Sequence, residues 1–242
     1  MPAQNQSLVE FKTPEEKAKY VRQMFDRISP RYDLLNRVMT GGQDVKWRKL
    51  AIEKSNLSAG GKLLDIACGT GDLAFTALPN NPVLVAAADF SLEMVRLGNA
   101  KLNGAQDVRF LGADGLKMPF QDNSFDASVT GFSMRNVMSV DNFLGEMARV
   151  VKPGGRVVIL EITPMEKKWL QPFFRFYFHK IVPFMGGLLG GDREAYTYLP
   201  QSVDVFHTAD QLAERMQNAG LRNVQYQKLN LGTVALHWGE AV

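Results

Sequence analysis

Three carboxylates stand at the ends of successive apolar runs: Asp65, Asp89 and Asp114. The first run, Leu63-Leu64-Asp65-Ile66, leads into the small turn Ala67-Cys68-Gly69-Thr70-Gly71-Asp72 and then a helix-compatible segment. A strand-to-helix turn of this kind brings backbone N–H groups and small residues against a nucleotide-like cofactor. Carboxylates at three strand ends suit a cofactor that carries hydroxyls, amines and positive charge. They suit a diphosphate poorly. Gly69-Thr70-Gly71-Asp72-Leu73-Ala74 also satisfies the dinucleotide form G-x-G-x-x-G/A, and Asp89 suits ribose hydroxyls under either reading. Asp65 in the approach to the turn would repel a pyrophosphate, so a nicotinamide-dependent oxidoreductase is the second reading. Taken singly, each acid reads as an ordinary turn or cap carboxylate; their joint placement argues for one site. Cys68 reads as a small buried filler.

The elements that must position these residues alternate. Residues 62–66, 83–88, 108–111, 125–131 and 156–162 read as strands. Ser91 caps a helix running to about Asn103, and residues 140–151 read as another. Lys152-Pro153-Gly154-Gly155 has the composition of a turn. Strands alternating with helices predict a parallel sheet covered on both faces. Before it, residues 14–54 are helical, with breaks near Ser29-Pro30 and Thr40-Gly41-Gly42, and residues 1–13 look loose. After it, residues 163–205 are aromatic and punctuated by Pro and Gly, which predicts helices outside the sheet. Thr208 caps a helix over 208–219, and residues 224–229 and 234–238 read as a closing hairpin. One domain results: a helical cap (1–54), a core (55–162), a helical insertion (163–207), and a return to the core (208–242).

The chain of 242 residues carries a net charge of +3, with 45% apolar and 22% charged residues. That allows weak attraction to an anionic surface, and without a long basic stripe it gives no case for nucleic acid. A single cysteine excludes an intrachain disulfide and a cysteine metal cluster. His179, His207 and His237 are scattered without ligand spacing, so no metal is expected. No apolar run reaches the ~18–20 residues of a membrane span, and residues 1–19 are polar, so a cytoplasmic location is expected.

Met118-Pro119-Phe120, Phe125-Asp126 and Val151-Lys152-Pro153-Gly154-Gly155 join the glycine turn in a pattern that resembles the class I S-adenosylmethionine-dependent methyltransferases, over residues 62–162 and the closing hairpin. The resemblance implies a Rossmann-like α/β fold: a mostly parallel seven-stranded sheet with its last strand antiparallel. It implies S-adenosylmethionine as cofactor. Gly69, Thr70 and Gly71 would pack on its methionine and ribose portion, with Asp65 in the same set. Asp89 would accept from the ribose diol, Asp114 from the adenine amine with the Gly115 amide beside it, and Gly131 would lie near the reactive methyl. Ala67 departs from the motif, which usually has glycine there.

Further segments narrow the resemblance: Tyr32-Asp33-Leu34-Leu35-Asn36, Met39-Thr40-Gly41-Gly42, Trp47-Arg48, Phe132-Ser133-Met134-Arg135-Asn136-Val137, Phe178-His179, Tyr196-Thr197-Tyr198-Leu199 and Gly232-Thr233-Val234-Ala235-Leu236-His237. Together these are similar to the menaquinone/ubiquinone biosynthesis C-methyltransferases from Phe25 to Gly239. Asp44 and Val45 stand where that family often has a His-Arg pair. The resemblance implies C-methylation of a prenylated quinol, demethylmenaquinol first, with a benzoquinol or a phytyl naphthoquinol as alternatives. A ring carbon becomes nucleophilic when the neighbouring hydroxyl ionises. Arg135 is the first candidate to stabilise that phenolate, Asn136 to orient it, and Tyr32 to complete the hydrogen-bond set. A plain ion pair after the strand is the blander reading of Arg135-Asn136. His179 and Tyr196 are placed at the substrate. The insertion mixes Lys167-Lys168-Trp169 and Phe173-Phe174-Arg175-Phe176 with apolar residues, which reads as a greasy wall for the prenyl chain resting transiently on a lipid surface, or as a cap packed on the sheet. A binding module without turnover is the non-enzymatic alternative; the presence of Asp65, Asp89, Asp114 and Arg135 together counts against it.

Overall fold

A computed structural model describes residues 11–190 and 192–242; most of the N-terminal stretch read as loose lies outside them. Seven strands form one sheet: β1 (Lys62–Ile66), β2 (Leu84–Asp89), β3 (Val108–Gly112), β4 (Phe125–Gly131), β5 (Val151–Ile162), β6 (Arg222–Leu229) and β7 (Val234–Glu240). Their order is β3-β2-β1-β4-β5-β7-β6. Every neighbouring pair is parallel except β5–β7 and β7–β6, so the last strand alone runs backwards, as expected. Leu63 and Leu64 explain why β1 lies inside the sheet: the first joins the core on one face, the second the core on the other. A strand covered on both faces needs such a continuous apolar run. The chain moves outward from β1 to β3, then restarts beside β1 at β4. In open sheets of this type a crevice opens at that reversal, beyond the carboxyl ends of the strands.

Among the described residues, ten α-helices surround the sheet. α1 (Pro14–Ile28), α2 (Tyr32–Thr40) and α3 (Gln43–Lys54) precede it; α4 (Asp72–Ala77), α5 (Leu92–Ala100) and α6 (Val140–Arg149) are its crossovers. α7 (Gln171–Phe176), α8 (Val182–Met185) and α9 (Arg193–Asp204) form the insertion, and α10 (Ala209–Asn218) leads into β6. The polar starts follow from side-chain caps. Ser91 accepts from the Met94 amide at 3.1 Å, and Thr208 forms a reciprocal capping box with Gln211. Wider π-type turns at Tyr177–Ile181 and Gly186–Gly190 flank α8.

The cap and the insertion are not separate lids. Met24, Ile28 and Leu35 share one apolar cluster with Val182, Ala195, Tyr196 and Tyr198. Lys152-Pro153-Gly154-Gly155, expected as a free turn, lies within β5. The register against β4 jumps from Phe125↔Val151 to Ala127↔Arg156, so the four residues are a bulge between paired positions. Pairing on both sides of the segment overrides its turn composition. α5 and α6 end earlier than expected, at Ala100 and Arg149. No helix among the described residues is long and apolar enough to cross a membrane.

Candidate active site

The carboxyl ends of β1, β2 and β4 surround a cleft of about 150 Å³, bordered by Gly69, Asp89, Asp114, Gly115 and Gly131 among others. The turn after β1 is built from left-handed residues: Ala67 at φ +53°, Gly69 at +56° and Gly71 at +90°. Ala67 therefore occupies a conformation that costs an L residue about 1–2 kcal/mol and glycine very little. The turn is pinned to β2, since the Cys68 amide donates to Ala88 O at 3.0 Å and the Gly69 amide to Asp89 Oδ2 at 2.7 Å. Asp89 Oδ1 also accepts from the Ser91 amide at 2.8 Å.

Asp65, Thr70 and Gly71 do not border this cleft. Asp65 is completely buried beneath the turn, where Oδ2 accepts from the Ala74 amide of α4 at 3.0 Å. It borders a small recess behind the turn together with Thr70, Arg48 and Asp72. Thr70 turns its hydroxyl onto Asp33 at 2.6 Å. Gly71 is required by packing: a Cβ there would come within 2.4 Å of Phe110 Cζ. Ala67, Gly69 and Gly131 border both the cleft and this recess, so Asp65 and Thr70 lie directly behind the cleft wall, while Gly71 borders neither.

Burial pushes the Asp65 carboxyl up to about 8, against the pull of the Ala74 amide. Asp89 is pushed up to about 6, again chiefly by burial. Between about pH 4 and these values the folded chain holds protons that the unfolded chain has lost. Folding then takes up protons, and the ligand-free protein loses stability as pH rises from about 4 to about 8, by at most ~1.4 kcal/mol per group per pH unit. Asp65→Asn is expected to flatten that slope in urea unfolding over this range. An unaltered slope would place the Asp65 proton elsewhere.

α1 covers the cleft. Asp26 accepts from the Ser91 hydroxyl at 2.5 Å, the Arg22 guanidinium lies 5.4 Å above the Phe90 ring, and Lys17 Nζ donates to Val137 O at 3.1 Å. Ala18, Val21 and Phe25 close the cleft beneath the helix.

A second cavity, about 440 Å³, adjoins the first. Phe25, Tyr32, Phe132 and Asn136 border both. Phe132 has φ +61°, which for a bulky side chain is a true outlier and stores strain at this junction. Its amide donates to Leu160 O at 2.7 Å, and its ring lies 5.5 Å from the Arg48 guanidinium. Arg48 is buried and pairs with Asp44 and Asp72, so the position expected for a family histidine instead anchors the cation over Phe132.

Arg135 borders the second cavity with only 8% of its side chain exposed. Nη1 donates to Glu161 Oε1 at 2.5 Å and to Phe132 O at 2.7 Å. Glu161 is wholly buried in β5, and it also accepts from the Arg135 and Ile162 amides at 3.3 and 2.8 Å. The ion-pair reading of Arg135 is thus correct as geometry, and it leaves Nε buried without a hydrogen-bond partner. Oδ1 of the neighbouring Asn136 is likewise buried and unpartnered. Buried polar atoms in this state call for a partner from outside the chain. Glu161 was not foreseen as a site residue. Its signal in the sequence is a lone acid in the apolar run Val157-Val158-Ile159-Leu160, which must find a cation when buried.

Tyr32 lines both cavities; burial raises its phenol, outweighing the opposing influence of Asn36, Arg48 and Arg135. Tyr196 lines the second cavity, and burial raises its phenol too. His179 does not border the cavity. Its Nε2 lies 3.0 Å from Asp204, because the π-type turn carries it away while Tyr177 and Phe178 face inward. The Tyr177 hydroxyl donates to Met39 O at 2.6 Å, tying the insertion to α2. His237 is a packing residue, with Nε2 2.8 Å from Ala209 O.

Residues 12–241 match the profile of the ubiE/COQ5 methyltransferase family. The chain belongs to that family. A ubiquinone/menaquinone biosynthesis C-methyltransferase of Desulfotalea psychrophila is 41% identical over 99% of this chain and 99% of its own. A demethylmenaquinone methyltransferase of Thermus thermophilus is 42% identical over 90% of this chain and 99% of its own. Among solved structures, an S-adenosylmethionine-dependent methyltransferase from Aquifex aeolicus superposes with a TM-score of 0.57 at 19% identity, covering 96% of this chain and 100% of that one, which establishes the shared fold. The cofactor of this methyltransferase is S-adenosylmethionine.

Proposed function

We propose that the enzyme methylates a ring carbon of a prenylated quinol, with demethylmenaquinol as the acceptor. The observation that carries this reading is the junction of the two cavities. A largely apolar cleft that carries two carboxylates adjoins a larger cavity in which aromatic and aliphatic side chains mix with polar ones, and a guanidinium with an unpartnered Nε borders the second. The names of the relatives point to the same class of acceptor.

The residues of the cleft fit the cofactor. Asp89 would hold the ribose diol, Asp114 and the Gly115 amide the adenine edge, and Gly69 and Gly131 the methionine end. When bound, S-adenosylmethionine supplies an electrophilic methyl group. The protein's part is to make the acceptor carbon nucleophilic. A guanidinium is a poor proton acceptor, and Glu161 fixes the orientation of Arg135, so this side chain stabilises a phenolate and does not act as a base. Asn136 Oδ1 accepts from the acceptor hydroxyl before it ionises and so orients it; that proton then passes to water, and after methyl transfer the ring carbon gives up its own proton and the oxygen is reprotonated. Tyr32 walls both cavities at the point where donor and acceptor must meet. Only the reduced ring carries the hydroxyl that this arrangement needs.

Cofactor affinity should follow the Asp89 charge. It is expected to fall as pH drops through about 6, where the carboxylate takes up its proton. Asp89→Asn is expected to weaken binding about 10–100-fold and to remove most of that pH dependence, as read by calorimetry. Equal affinity in both proteins would remove Asp89 from the ribose contact.

The quinol reaches the cavity from a bilayer. Trp169, Phe173, Phe176, Phe184 and Leu188 are exposed on the insertion, beside Lys167, Lys168, Arg175 and Lys180. Tyr177, Phe178 and Val182 of the same segment line the cavity. Aromatic side chains mixed with basic ones favour an anionic lipid interface. Flotation with anionic vesicles at low salt should recover the protein, and Trp169→Ala/Phe173→Ala should lower the recovery several-fold. Failure of the parent protein to float, with and without long-chain quinol, would contradict membrane pickup.

A further inference from the structure

Two more buried polar groups on residues that line the second cavity are short of partners: the Asn36 amide, which lies against the Tyr32 phenol without a full hydrogen bond through Nδ2, and Oη of Tyr196. Asn36 follows Tyr32 by one turn of α2, so both side chains lie on the same helix face. Tyr196 comes from α9 of the insertion and is only 4% exposed. Its ring packs among Met24, Ile28 and Leu35, and a Cβ on Gly186 would collide with it, so the phenol is held in one place. A rigid, desolvated hydroxyl and a sealed amide in an apolar cavity are unfavourable unless a ligand meets them.

The unpartnered atoms of this cavity fall into two sets. Arg135 Nε and Asn136 Oδ1 are adjacent in the chain after β4, and offer one donor and one acceptor. Asn36 Nδ2 and Tyr196 Oη belong to α2 and α9, and offer a donor and a hydroxyl that can donate or accept. A 1,4-hydroquinone has two oxygens at opposite ends of one ring. The first set meets the oxygen beside the reacting carbon. The second set is left for the other oxygen.

Resting on the quinol reaction above, we propose that Asn36 and Tyr196 form a second oxygen subsite, which reads the hydroxyl para to the one stabilised by Arg135 and selects hydroquinones over acceptors with a single hydroxyl. A site built to hydrogen-bond a hydroxyl discriminates against the analogue that lacks it, because its own polar groups are then left buried and unpaired. Removing those groups removes the discrimination.

The test compares two acceptors: a short-prenyl demethylmenaquinol and the matching 3-prenyl-1-naphthol, which keeps the hydroxyl next to the reacting carbon and lacks the para one. The ratio of their kcat/KM values is measured in the parent enzyme, in Asn36→Ala and in Tyr196→Phe, with folding checked by circular dichroism. The ratio is expected to fall about tenfold or more in each variant, which a general loss of packing would not produce. Rates that fall equally on both acceptors would overturn the subsite and leave the quinol reaction standing. A parent enzyme that binds cofactor and methylates neither acceptor would overturn the quinol reaction and the subsite with it.

Discussion

Arg135→Ala is expected to lower the rate of ring methylation at least 10³-fold while cofactor affinity changes little. Arg135 borders the second cavity and not the cleft, so its loss leaves Asp89 and Asp114 of the cleft untouched. The expected factor reflects a preorganised charge at the atom where negative charge develops; removing one such donor typically costs 10²–10³, and here the donor is a full cation in a water-poor cavity. Arg135→Lys should recover only part of the activity. An ammonium keeps the charge, but it lacks the fork that lets Nη1 bind Glu161 and Phe132 O while Nε faces the acceptor. Single-turnover rates with saturating cofactor, beside a cofactor titration of each variant, separate the two effects. A parallel loss of cofactor affinity would place Arg135 in the cofactor site.

Glu161→Ala is expected to destabilise the fold by about 3–5 kcal/mol, because it leaves the Arg135 guanidinium buried without its anion. For a chain of 242 residues that corresponds to a fall in Tm of about 6–20 °C. The double variant Glu161→Gln/Arg135→Met should recover most of that stability, since it removes both charges and keeps the volume, yet it should remain inactive. Thermal unfolding of the three proteins at one pH measures the pattern. A double variant as unstable as Glu161→Ala would show that Glu161 supports the fold through its bonds to the Arg135 and Ile162 amides more than through the ion pair.

What the sequence made legible follows from simple constraints. A parallel strand buried on both faces must be an unbroken apolar run, and a polar residue can appear only where the run ends. Asp89 and Asp114 were visible for that reason, and both border the cleft. Arg135 and Asn136 were legible through the family resemblance of the segment 132–137, and both border the second cavity beyond β4. Asp65 obeyed the rule and still faced another way, since its carboxylate is taken by the first turn of α4. His179 failed because one π-type turn rotates the helix face, and periodicity does not register such a turn. Glu161 escaped notice because its partner lies 26 residues away on a neighbouring element. Lys152-Pro153-Gly154-Gly155 was misread because the pairing of whole strands decided what local composition suggested.

The account rests on ionisation of a reduced ring beside Arg135. Its most direct test is transfer of labelled methyl from S-adenosylmethionine to short-prenyl demethylmenaquinol, with the oxidised quinone and a benzoquinol as comparison acceptors. The account expects label in a ring carbon of the naphthoquinol product, none with the quinone, and loss of the signal in Arg135→Ala. Label on a quinol oxygen, or equal transfer to the oxidised quinone, would contradict it.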